Sequence, residues 1–488
     1  MKLGHSSCGE SILFNHMKRN RAIFLCLIGI FCTLAAGSPS PNIVVFLADD
    51  FGYGCTNAYG ADEQLIRTPN LNRLAAEGIR FDNAYTTGSV CSPTRYALLT
   101  GRYSWRTNMK RGVVNSNDPL LIKEGVLTIA SWLREQGYET AQIGKWHLGY
   151  KAKRFRNLLE TISPGPNDVG FDYHFGVPNN MDDLHKIYIE NDRIYGLRSD
   201  KVSPYGKSFY GKPYVGYDAP QRVTTQVMDT LTEKAIHWLD HRDKEKPFFL
   251  YFASVAVHHP ISPSERMRGT SEAGAYGDFI HDVDHSVGQL MEALDIRGLS
   301  ENTLFLFSSD NGSDIPKDAA RPEAQAVAKG LAVNGTLRGD KHTIYDGGLK
   351  VPFIVKWPGG IEKPSVSDTR VSTIDVFATV ADIVAGEMLD PNESDSVSFR
   401  GLLKKPSMGS SRPELVLRDS QGRKALLKGA WKFVDDDAPP MPNGKKAKLE
   451  AELYNLATDP SETLNVIKEH PEIVTQYREI LAKVRRGD

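Results

Sequence analysis

The chain has 488 residues, enough for one large α/β domain with an appendage or for about three units of roughly 150 residues each. Hydrophobic residues make up 40% and charged residues 24%, a composition that excludes a disordered or collagen-like chain. The 59 basic and 60 acidic side chains leave a formal net charge of −1, so we predict no nucleic-acid partner.

The first 37 residues are typical of an export signal. Basic residues precede the apolar stretch 22–36, and small residues end it. This stretch is shorter than the ~20 residues that a bilayer-spanning helix needs. We therefore predict a signal peptide at 1–37 and export to a periplasm, the extracellular space or a lysosome, depending on the source. We predict no stable membrane insertion after the signal is cleaved.

Removal of the signal changes the cysteine count. Three of the five cysteines lie in it, which leaves Cys55 and Cys91. Two cysteines cannot hold a chain of this length together, so the core must stabilise the fold. The sequence leaves two alternatives for Cys55. It either forms a disulfide with Cys91 or is a small packing residue, which is our interpretation.

Short apolar runs alternate with segments of helical spacing along the chain, which is typical of an α/β sheet with helices on both faces. In chain order, the predicted elements are the strand Ile43–Leu47, the helices Pro69–Gly78 and Thr128–Gln136, the strand Glu139–Ile143, the helix Thr225–Leu239, the strand Phe248–Phe252, the helix Tyr276–Leu294, the strands Leu304–Phe307 and Val351–Val355, and the helix Thr373–Val384.

The pattern changes after about residue 385, where polar loops become frequent. The predicted elements there are the hairpin Glu414–Leu417 and Lys424–Lys428, the strand Trp431–Val434 and the helix Pro471–Val484. We therefore predict an α/β catalytic domain at 38–385 and a C-terminal α+β subdomain at 386–488, with a small antiparallel sheet and a terminal helix.

Acidic, amide and basic side chains follow four of the predicted strands. They are Asp49, Asp50, Lys145, His147, His258, Asp310 and Asn311. Ligands of open α/β sheets bind beyond the carboxyl ends of the strands, so we expect these residues to converge on one edge. A single Asp-Asp pair is weak evidence, because helix caps and turns also use Asp. The coincidence of residues from strands far apart in sequence is stronger evidence.

The oxygen-bearing members of this set suit a hard cation better than zinc. We predict Ca²⁺, with Mg²⁺ as the alternative, because calcium tolerates irregular carboxylate geometry and leaves positions for a substrate oxygen.

The segment 91–95, Cys-Ser-Pro-Thr-Arg, is the most informative in the chain. Pro93 suits the first turn of a helix, so we expect Cys91 to cap a helix N-terminus, where an anion is favoured. A buried structural thiol and an activated thiolate are the alternatives. A cysteine phosphatase would place its arginine further along the loop than Arg95, which argues against that class.

The same segment resembles the signature of type I sulfatases, which belong to the alkaline-phosphatase superfamily. The pattern Cys91-x-Pro93-x-Arg95 matches, and Thr94 stands where serine is usual. The resemblance extends from residue 41 to about 470. Its further motifs are Gly144–Gly149, His258–Pro260, Asp310–Gly312, Leu337–Lys341, Asp346–Gly348 and Glu452–Leu456. It implies a large mixed, mostly parallel sheet sandwiched by helices.

The resemblance also implies the chemistry of the site. A maturation enzyme would convert Cys91 to formylglycine (3-oxoalanine), and the protein would hydrolyse sulfate monoesters of aryl alcohols or saccharides. The implied ligands of Ca²⁺ are Asp49, Asp50, Asp310 and Asn311, with the modified Cys91 close to the ion. The implied catalytic residues are Cys91, Arg95, Lys145, His147, His258 and Lys341. Among these, Arg95 would orient the formylglycine, the lysines would bind sulfate oxygens and the histidines would transfer protons.

The predicted substrate is a sulfated sugar. The segments 170–172 and 188–193 resemble the arylsulfatase A and N-acetylgalactosamine-6-sulfatase subgroup, whereas 179–185 departs from its pattern. As a hypothesis, Asp182, Asp183 and His185 bind sugar hydroxyls. Two alternatives are a phosphodiester or phosphonate monoester hydrolase of the same superfamily and a non-catalytic glycan-binding relative. Every expected site position is filled, which argues against the second.

Overall fold

A ten-stranded sheet organises the chain in a computed structural model that describes residues 40–390, 392–409 and 412–486. The predicted signal peptide at 1–37 lies outside the described residues. The strands, in chain order, are β1 (Asn42–Ala48), β2 (Ile79–Phe81), β3 (Ala84–Tyr85), β4 (Glu139–Lys145), β5 (Tyr173–Val177), β6 (Ile189–Glu190), β7 (Arg193–Ile194), β8 (Ser199–Val202), β9 (Tyr217–Asp218), β10 (Phe248–Ala253), β11 (Thr303–Ser309), β12 (Phe353–Lys356), β13 (Ser365–Ser367), β14 (Val371–Ser372), β15 (Leu415–Arg418), β16 (Lys424–Lys428), β17 (Trp431–Val434) and β18 (Glu452–Asn455).

Helices connect and cover these strands. They are α1 (Pro69–Ala76), α2 (Cys91–Thr100), α3 (Ile129–Glu135), α4 (Val227–His241), α5 (Ala275–Ile296), α6 (Pro322–Ala328), α7 (Asp346–Leu349), α8 (Val376–Ala385), α9 (Arg400–Lys404) and α10 (Pro471–Arg486). None of the helices in the described ranges is long and apolar enough to cross a bilayer.

The large sheet is mixed, with a parallel centre. Its strand order is β13-β2-β12-β11-β1-β10-β4-β5-β6-β7. The five neighbouring strands from β11 to β5 run parallel, and antiparallel pairs join β12 to β11 and β6 to β5. The predicted fold class, a large mixed and mostly parallel sheet with helices, is confirmed.

Successive residues of the central strand β1 enter different cores. Ile43, Val45 and Leu47 belong to one apolar cluster, whereas Val44 and Phe46 belong to another. The side chains of a strand point alternately to its two faces, so these clusters lie on opposite faces of the sheet. Burial on both faces accounts for the continuous apolar run of β1.

A four-stranded antiparallel sheet, β15-β16-β17-β18, follows the large sheet in the chain and confirms the predicted C-terminal hairpin and strand. Its apolar residues share a third core with Ala97 of α2 and with α10. The residues from Pro41 onward form one compact unit. The division between 385 and 386 stays a prediction.

Most predicted elements are present within a few residues of their predicted bounds. The predicted strand Val351–Val355 begins two residues late, at Phe353, and it is antiparallel to β11. The predicted helix at 373 begins with one 3₁₀ turn before α8. The hairpin formed by β8 and β9, with a long loop between its strands, was not predicted.

Candidate active site

The parallel strands deliver the predicted polar residues to one edge of the sheet. Asp49 and Asp50 follow β1, and Asp310 and Asn311 follow the neighbouring strand β11. Lys145 is the last residue of β4. The residue before it, Gly144, packs closely against β10. A Cβ atom at this position would lie 1.9 Å from the backbone oxygen of Ala253, so only glycine fits. The carboxyl ends of these strands meet at the same edge, as expected.

Four potential metal ligands meet at this edge. Ligand atoms of Asp49, Asp50, Cys91 and Asp310 all lie within 4.8 Å of one another, and all four residues are buried. Asn311 donates its amide to Asp50 over 2.7 Å, while its buried Oδ1 has no hydrogen-bond partner among the described residues. A buried acceptor without a donor costs free energy of folding, and a bound cation would remove this cost by accepting the oxygen as a ligand. The oxygen-rich donor set therefore fits Ca²⁺ or Mg²⁺.

Three buried cations balance the carboxylates. The Lys145 ammonium lies 2.7 Å from Asp49, and the Lys341 ammonium lies 2.6 Å from Asp50. These two lysines thus lie beside the two carboxylates that follow β1.

The third cation, Arg95, lies on α2. Its guanidinium donates two hydrogen bonds to Asp310, of 3.0 and 2.7 Å, and one to the carbonyl of Lys145. It also lies 3.4 Å from Asp49. Arg95 thus ties α2 to the ends of β11 and β4, which fixes the position of Cys91 one helical turn earlier.

Cys91 is the first residue of α2, and Val90 is the N-cap. The expectation that Cys91 itself caps the helix is wrong by one residue; Pro93 does lie in the first turn. The Cys91 sulfur lies 3.4 Å from the Lys145 ammonium and 3.6 Å from Asp49. Cys55 and Cys91 are both free, so no disulfide joins them.

The acidic groups differ in protonation. Burial raises the pKa of Asp49 to about 7 against the opposing charge of Lys145, and the charges of Asp310 and Asp50 raise it further. Burial also raises the pKa of Asp50, but the charges of Lys341 and Lys145 outweigh burial and leave that pKa below its usual value. Burial, followed by the charge of Asp310, raises the pKa of the Cys91 thiol.

Both predicted histidines lie at the site. His147 is buried with positive φ, and its Nδ1 has no hydrogen-bond partner among the described residues. The Nδ1 of His258 donates a hydrogen bond to the backbone oxygen of His259 over 2.7 Å, and its Nε2 lies 3.8 Å from Asp50. Burial and then neighbouring cations lower the pKa of both rings, through Lys145 at His147 and Lys341 at His258. Both imidazoles are therefore neutral near pH 7.

The three predicted sugar-binding residues are buried and bonded to protein groups. Asp182 accepts hydrogen bonds from Tyr214 and from the backbone of Phe209. Asp183 forms an ion pair with Arg222 at 3.0 Å.

The third of these residues, His185, contacts the Tyr217 hydroxyl at 3.1 Å. Its Nε2 is buried without a hydrogen-bond partner in the described ranges. Of the three, only Asp183 lines the cavity that opens beside His147. Their role in binding sugar stays a prediction.

This cavity has a volume of about 400 Å³, and sequence reasoning missed most of its lining. The missed residues include Asn179, Asn180, Ser208, Tyr210 and Lys212. They follow no predicted strand and belong to no matched motif. Two signals were present in the sequence: the segment 179–185 departs from the subgroup pattern, and five aromatic residues fall between positions 205 and 217.

The chain is similar to known sulfatases over most of its length. The profile of the Sulfatase family matches residues 41–386. An N-acetylgalactosamine-6-O-sulfatase of Bacteroides thetaiotaomicron is 33% identical over 92% of this chain and 94% of its own length. Human arylsulfatase A is 31% identical over 90% of this chain and 86% of its own length.

The fold agrees with this similarity. A solved Bacteroides thetaiotaomicron structure, from work on the metabolism of multiple glycosaminoglycans, superimposes with a TM-score of 0.82. It is 33% identical and covers 92% of this chain and all of that chain. The family profile matches most of the chain, and the sulfatase motifs bring carboxylates and cations to one edge of the sheet. This chain therefore belongs to the Sulfatase family, whose members hydrolyse sulfuric esters.

Proposed function

We propose that the protein hydrolyses sulfate monoesters of a sulfated carbohydrate with a formylglycine formed from Cys91 and a bound Ca²⁺ ion. The observation that carries the proposal is the position of Cys91: it begins α2 among three carboxylates and lies 3.4 Å from the Lys145 ammonium. The names of the relatives, N-acetylgalactosamine-6-O-sulfatase among them, support a sulfated sugar as substrate. The predicted export fits an extracellular polymer.

Asp49, Asp50, Asp310 and Asn311 would hold the ion. The orphan Oδ1 of Asn311 supports this assignment, and Mg²⁺ would suit the same oxygens. A bound divalent cation supplies positive charge that polarises the sulfate oxygens and favours an ionised nucleophile.

Formylglycine requires a maturation enzyme that acts on the segment 91–95. Its hydrated aldehyde supplies two hydroxyls on one carbon, one as nucleophile and a second that allows sulfate to leave without attack by water at sulfur. A cysteine or serine lacks the second hydroxyl, which is the chemical reason for the modification.

The chain's own residues bind the substrate and transfer protons. Lys145 and Lys341 are placed to bind the sulfate oxygens, and Arg95 orients residue 91 through its bonds to Asp310. Such fixed charges stabilise the negative charge of the transition state. His258 protonates the leaving alcohol, and neutral His147 accepts a proton from residue 91.

Two measurements test the proposal. Mass spectrometry of the tryptic peptide 81–95, after coexpression with a formylglycine-generating enzyme, should show an aldehyde in place of the Cys91 thiol. The matured protein should release sulfate from N-acetylgalactosamine 6-sulfate and para-nitrophenyl sulfate, while Cys91→Ala should not. Faster turnover of phosphodiesters or phosphonate monoesters would favour the alternative. A confirmed aldehyde without hydrolysis of any sulfate ester would contradict the proposal.

The hypothesis for Asp182, Asp183 and His185 has its own test. Single alanine variants should lose turnover of the sulfated sugar more than turnover of para-nitrophenyl sulfate. Circular dichroism is needed as a control, because these side chains also bond to the protein. Equal turnover of both substrates by folded variants would remove the idea.

A further inference from the structure

Asp50, a proposed ligand of the cation, has a backbone conformation that is uncommon for a residue other than glycine. Its φ is 58°, in the left-handed region, where the Cβ atom crowds the backbone. Such a conformation costs free energy and persists only where surrounding contacts hold it. The same residue accepts a hydrogen bond from Asn311 over 2.7 Å and pairs with Lys341 at 2.6 Å. The contacts that hold the backbone of Asp50 therefore set part of the site geometry.

Two serines hold the main chain around this residue. Ser309, the last residue of β11, accepts a hydrogen bond from the amide of Phe51 over 2.9 Å. Ser313 accepts one from the amide of Gly52 over 2.9 Å, and its hydroxyl donates to the carbonyl of Asp50 over 3.1 Å. The turn that follows β1 is therefore held by side chains from the end of another strand.

The two serines flank the proposed ligands that follow β11. Ser309 directly precedes Asp310 and Asn311, and Ser313 follows them after one glycine. The Ser309 hydroxyl donates to the carbonyl of Asn311 over 2.9 Å, and the Asp310 carboxylate accepts from the amide of Asp50 over 3.1 Å. One short segment thus supplies two of the proposed ligands and also holds the backbone of a third.

Ser313 is itself fixed through its main chain. The side-chain amide of Asn334 accepts from the Ser313 amide over 2.9 Å and donates to the Ser313 carbonyl over 3.1 Å. The same carbonyl accepts from the amide of Lys341 over 3.0 Å. Ser313 therefore contacts Asp50 through its hydroxyl and Lys341 through its main chain, and these two residues are the partners of the buried ion pair.

The hydrogen-bonding capacity of the Ser313 hydroxyl is fully used. A hydroxyl has one proton to donate and two lone pairs to accept with. Its proton goes to the Asp50 carbonyl, and it accepts from the Gly52 amide and from the Tyr276 hydroxyl, which lies 2.9 Å away. Ser313 and Tyr276 are both buried. Loss of the Tyr276 hydroxyl would remove one bond of this hydroxyl without touching the turn after β1.

We propose that Ser309 and Ser313 are positioning residues of the site, which hold Asp50 in its left-handed conformation so that its carboxylate faces both the cation and Lys341. They act through Asp50 and not on the substrate. This inference rests on the proposed function and its metal site, to which it adds two buried residues that set the affinity for the ion.

Three variants of the intact chain test this proposal. They are Ser309→Ala, Ser313→Ala and, as the matched control, Tyr276→Phe. Each protein is matured, and an aldehyde at residue 91 is confirmed by mass spectrometry. Isothermal titration calorimetry of metal-free protein measures the Kd for Ca²⁺, which does not depend on turnover. Urea denaturation of the same metal-free protein measures stability separately.

Each serine variant should raise the Kd for Ca²⁺ about tenfold, at the lower end of the ~10–100-fold range for groups that orient a metal ligand. The Ca²⁺ concentration for half-maximal hydrolysis of para-nitrophenyl sulfate should rise by the same factor. Tyr276→Phe should lower the stability of the metal-free protein, because a buried hydrogen bond is lost, but its Kd for Ca²⁺ should stay near wild type.

The outcomes separate this inference from the proposed function. An unchanged Kd in folded serine variants, or an equal rise in Tyr276→Phe, would overturn the positioning role while the sulfatase function stands. If Ser313→Ala does not fold, Ser309→Ala decides alone, because the Ser309 hydroxyl bonds to main-chain groups only. Absence of Ca²⁺ binding by the wild-type protein would overturn the metal site together with this inference. Failure of matured wild-type protein on all sulfate esters would overturn the proposed function itself.

Discussion

Two buried histidines at the catalytic edge face different neighbours. His258 has one nitrogen occupied by the His259 carbonyl, and its Nε2 faces Asp50 at 3.8 Å. His147 instead lines the cavity of about 400 Å³, and its Nδ1 has no partner among the described residues. This difference in surroundings is consistent with the two roles that we propose, in which His258 protonates the leaving alcohol and His147 accepts a proton from residue 91.

The role of His258 predicts a dependence on the leaving group. His258→Ala should lower kcat/KM on N-acetylgalactosamine 6-sulfate by about 10²–10⁴-fold, because a sugar alkoxide leaves poorly without a proton. The loss on para-nitrophenyl sulfate should be much smaller, since nitrophenolate needs no acid. Steady-state kinetics on both substrates check this, with the exposed His237→Ala as control. Equal losses on both substrates would exclude His258 as the general acid.

A third histidine, His174, should control acid stability. Burial lowers the pKa of His174 from 6.5 to about 3, and its Nδ1 contacts Gln142. The unfolded chain therefore binds a proton between these pH values that the folded chain does not. Folding stability from this group is present above pH 6.5 and is lost as the pH falls toward 3.

His174→Asn tests this linkage. The variant lacks the titrating ring, so its destabilisation relative to wild type should shrink by about 3 kcal/mol between pH 7 and pH 4.5. Urea denaturation at both pH values measures the difference. A destabilisation that is the same at both pH values would show that His174 does not titrate on unfolding.

At the scale of elements, a buried charge cluster joins the C-terminal sheet to α7 and β3. Lys432 of β17 lies 2.6 Å from both Asp346, at the start of α7, and Glu462. Tyr85 of β3 donates to Asp346 over 2.7 Å. The segment that leads into α7 carries Lys341, so the cluster also supports the position of this proposed catalytic residue.

Removal of the cation should destabilise this junction. Lys432→Met leaves two buried carboxylates unneutralised, and we expect the free energy of unfolding to fall by about 3–5 kcal/mol. Lys428→Met is the matched control in the same sheet, because its pair with Glu414 is partly exposed and should contribute less than about 1 kcal/mol. Urea denaturation compares the variants, and similar losses would contradict a structural role for the cluster.

At the scale of the whole molecule, the proposed cation would link strands that are far apart in sequence. Asp49 and Asp50 follow β1, whereas Asp310 follows β11 some 260 residues later. Their carboxylates repel one another in a buried site, and a bound cation would reduce this repulsion. Because such a cation would bind only the folded state, it would also stabilise the fold. Metal binding should therefore contribute to both activity and stability.

Chelation tests this at the level of the intact protein. Treatment with EGTA should abolish hydrolysis of para-nitrophenyl sulfate and lower the Tm by several degrees, and added Ca²⁺ should restore both. Protein exchanged into the same buffer without EGTA is the control, and Mg²⁺ alone shows whether the smaller ion suffices. Full activity and an unchanged Tm in protein freed of metal would contradict the calcium site.

Local pattern was sufficient to predict most elements of the fold. The apolar run of β1 is visible as a continuous stretch of the sequence. In α4 and α5 the apolar residues recur with the helical period of about 3.6 residues, which is also visible along the chain. The direction of β12 was not predicted, because an apolar run has the same composition in a parallel and an antiparallel strand. The hairpin of β8 and β9 was missed because both strands are short and β8 is largely exposed.

By itself, the sequence determined which candidate site residues follow strands or stand in motifs, since a strand end and the segment 91–95 are local features. Only the tertiary structure decided what surrounds them. It placed Cys91 one residue beyond the helix cap and left an oxygen of Asn311 without a partner among the described residues. It also brought Ser208 and Lys212, from a loop with no motif, to the cavity that His147 lines. These features depend on contacts between distant segments, which no local pattern encodes.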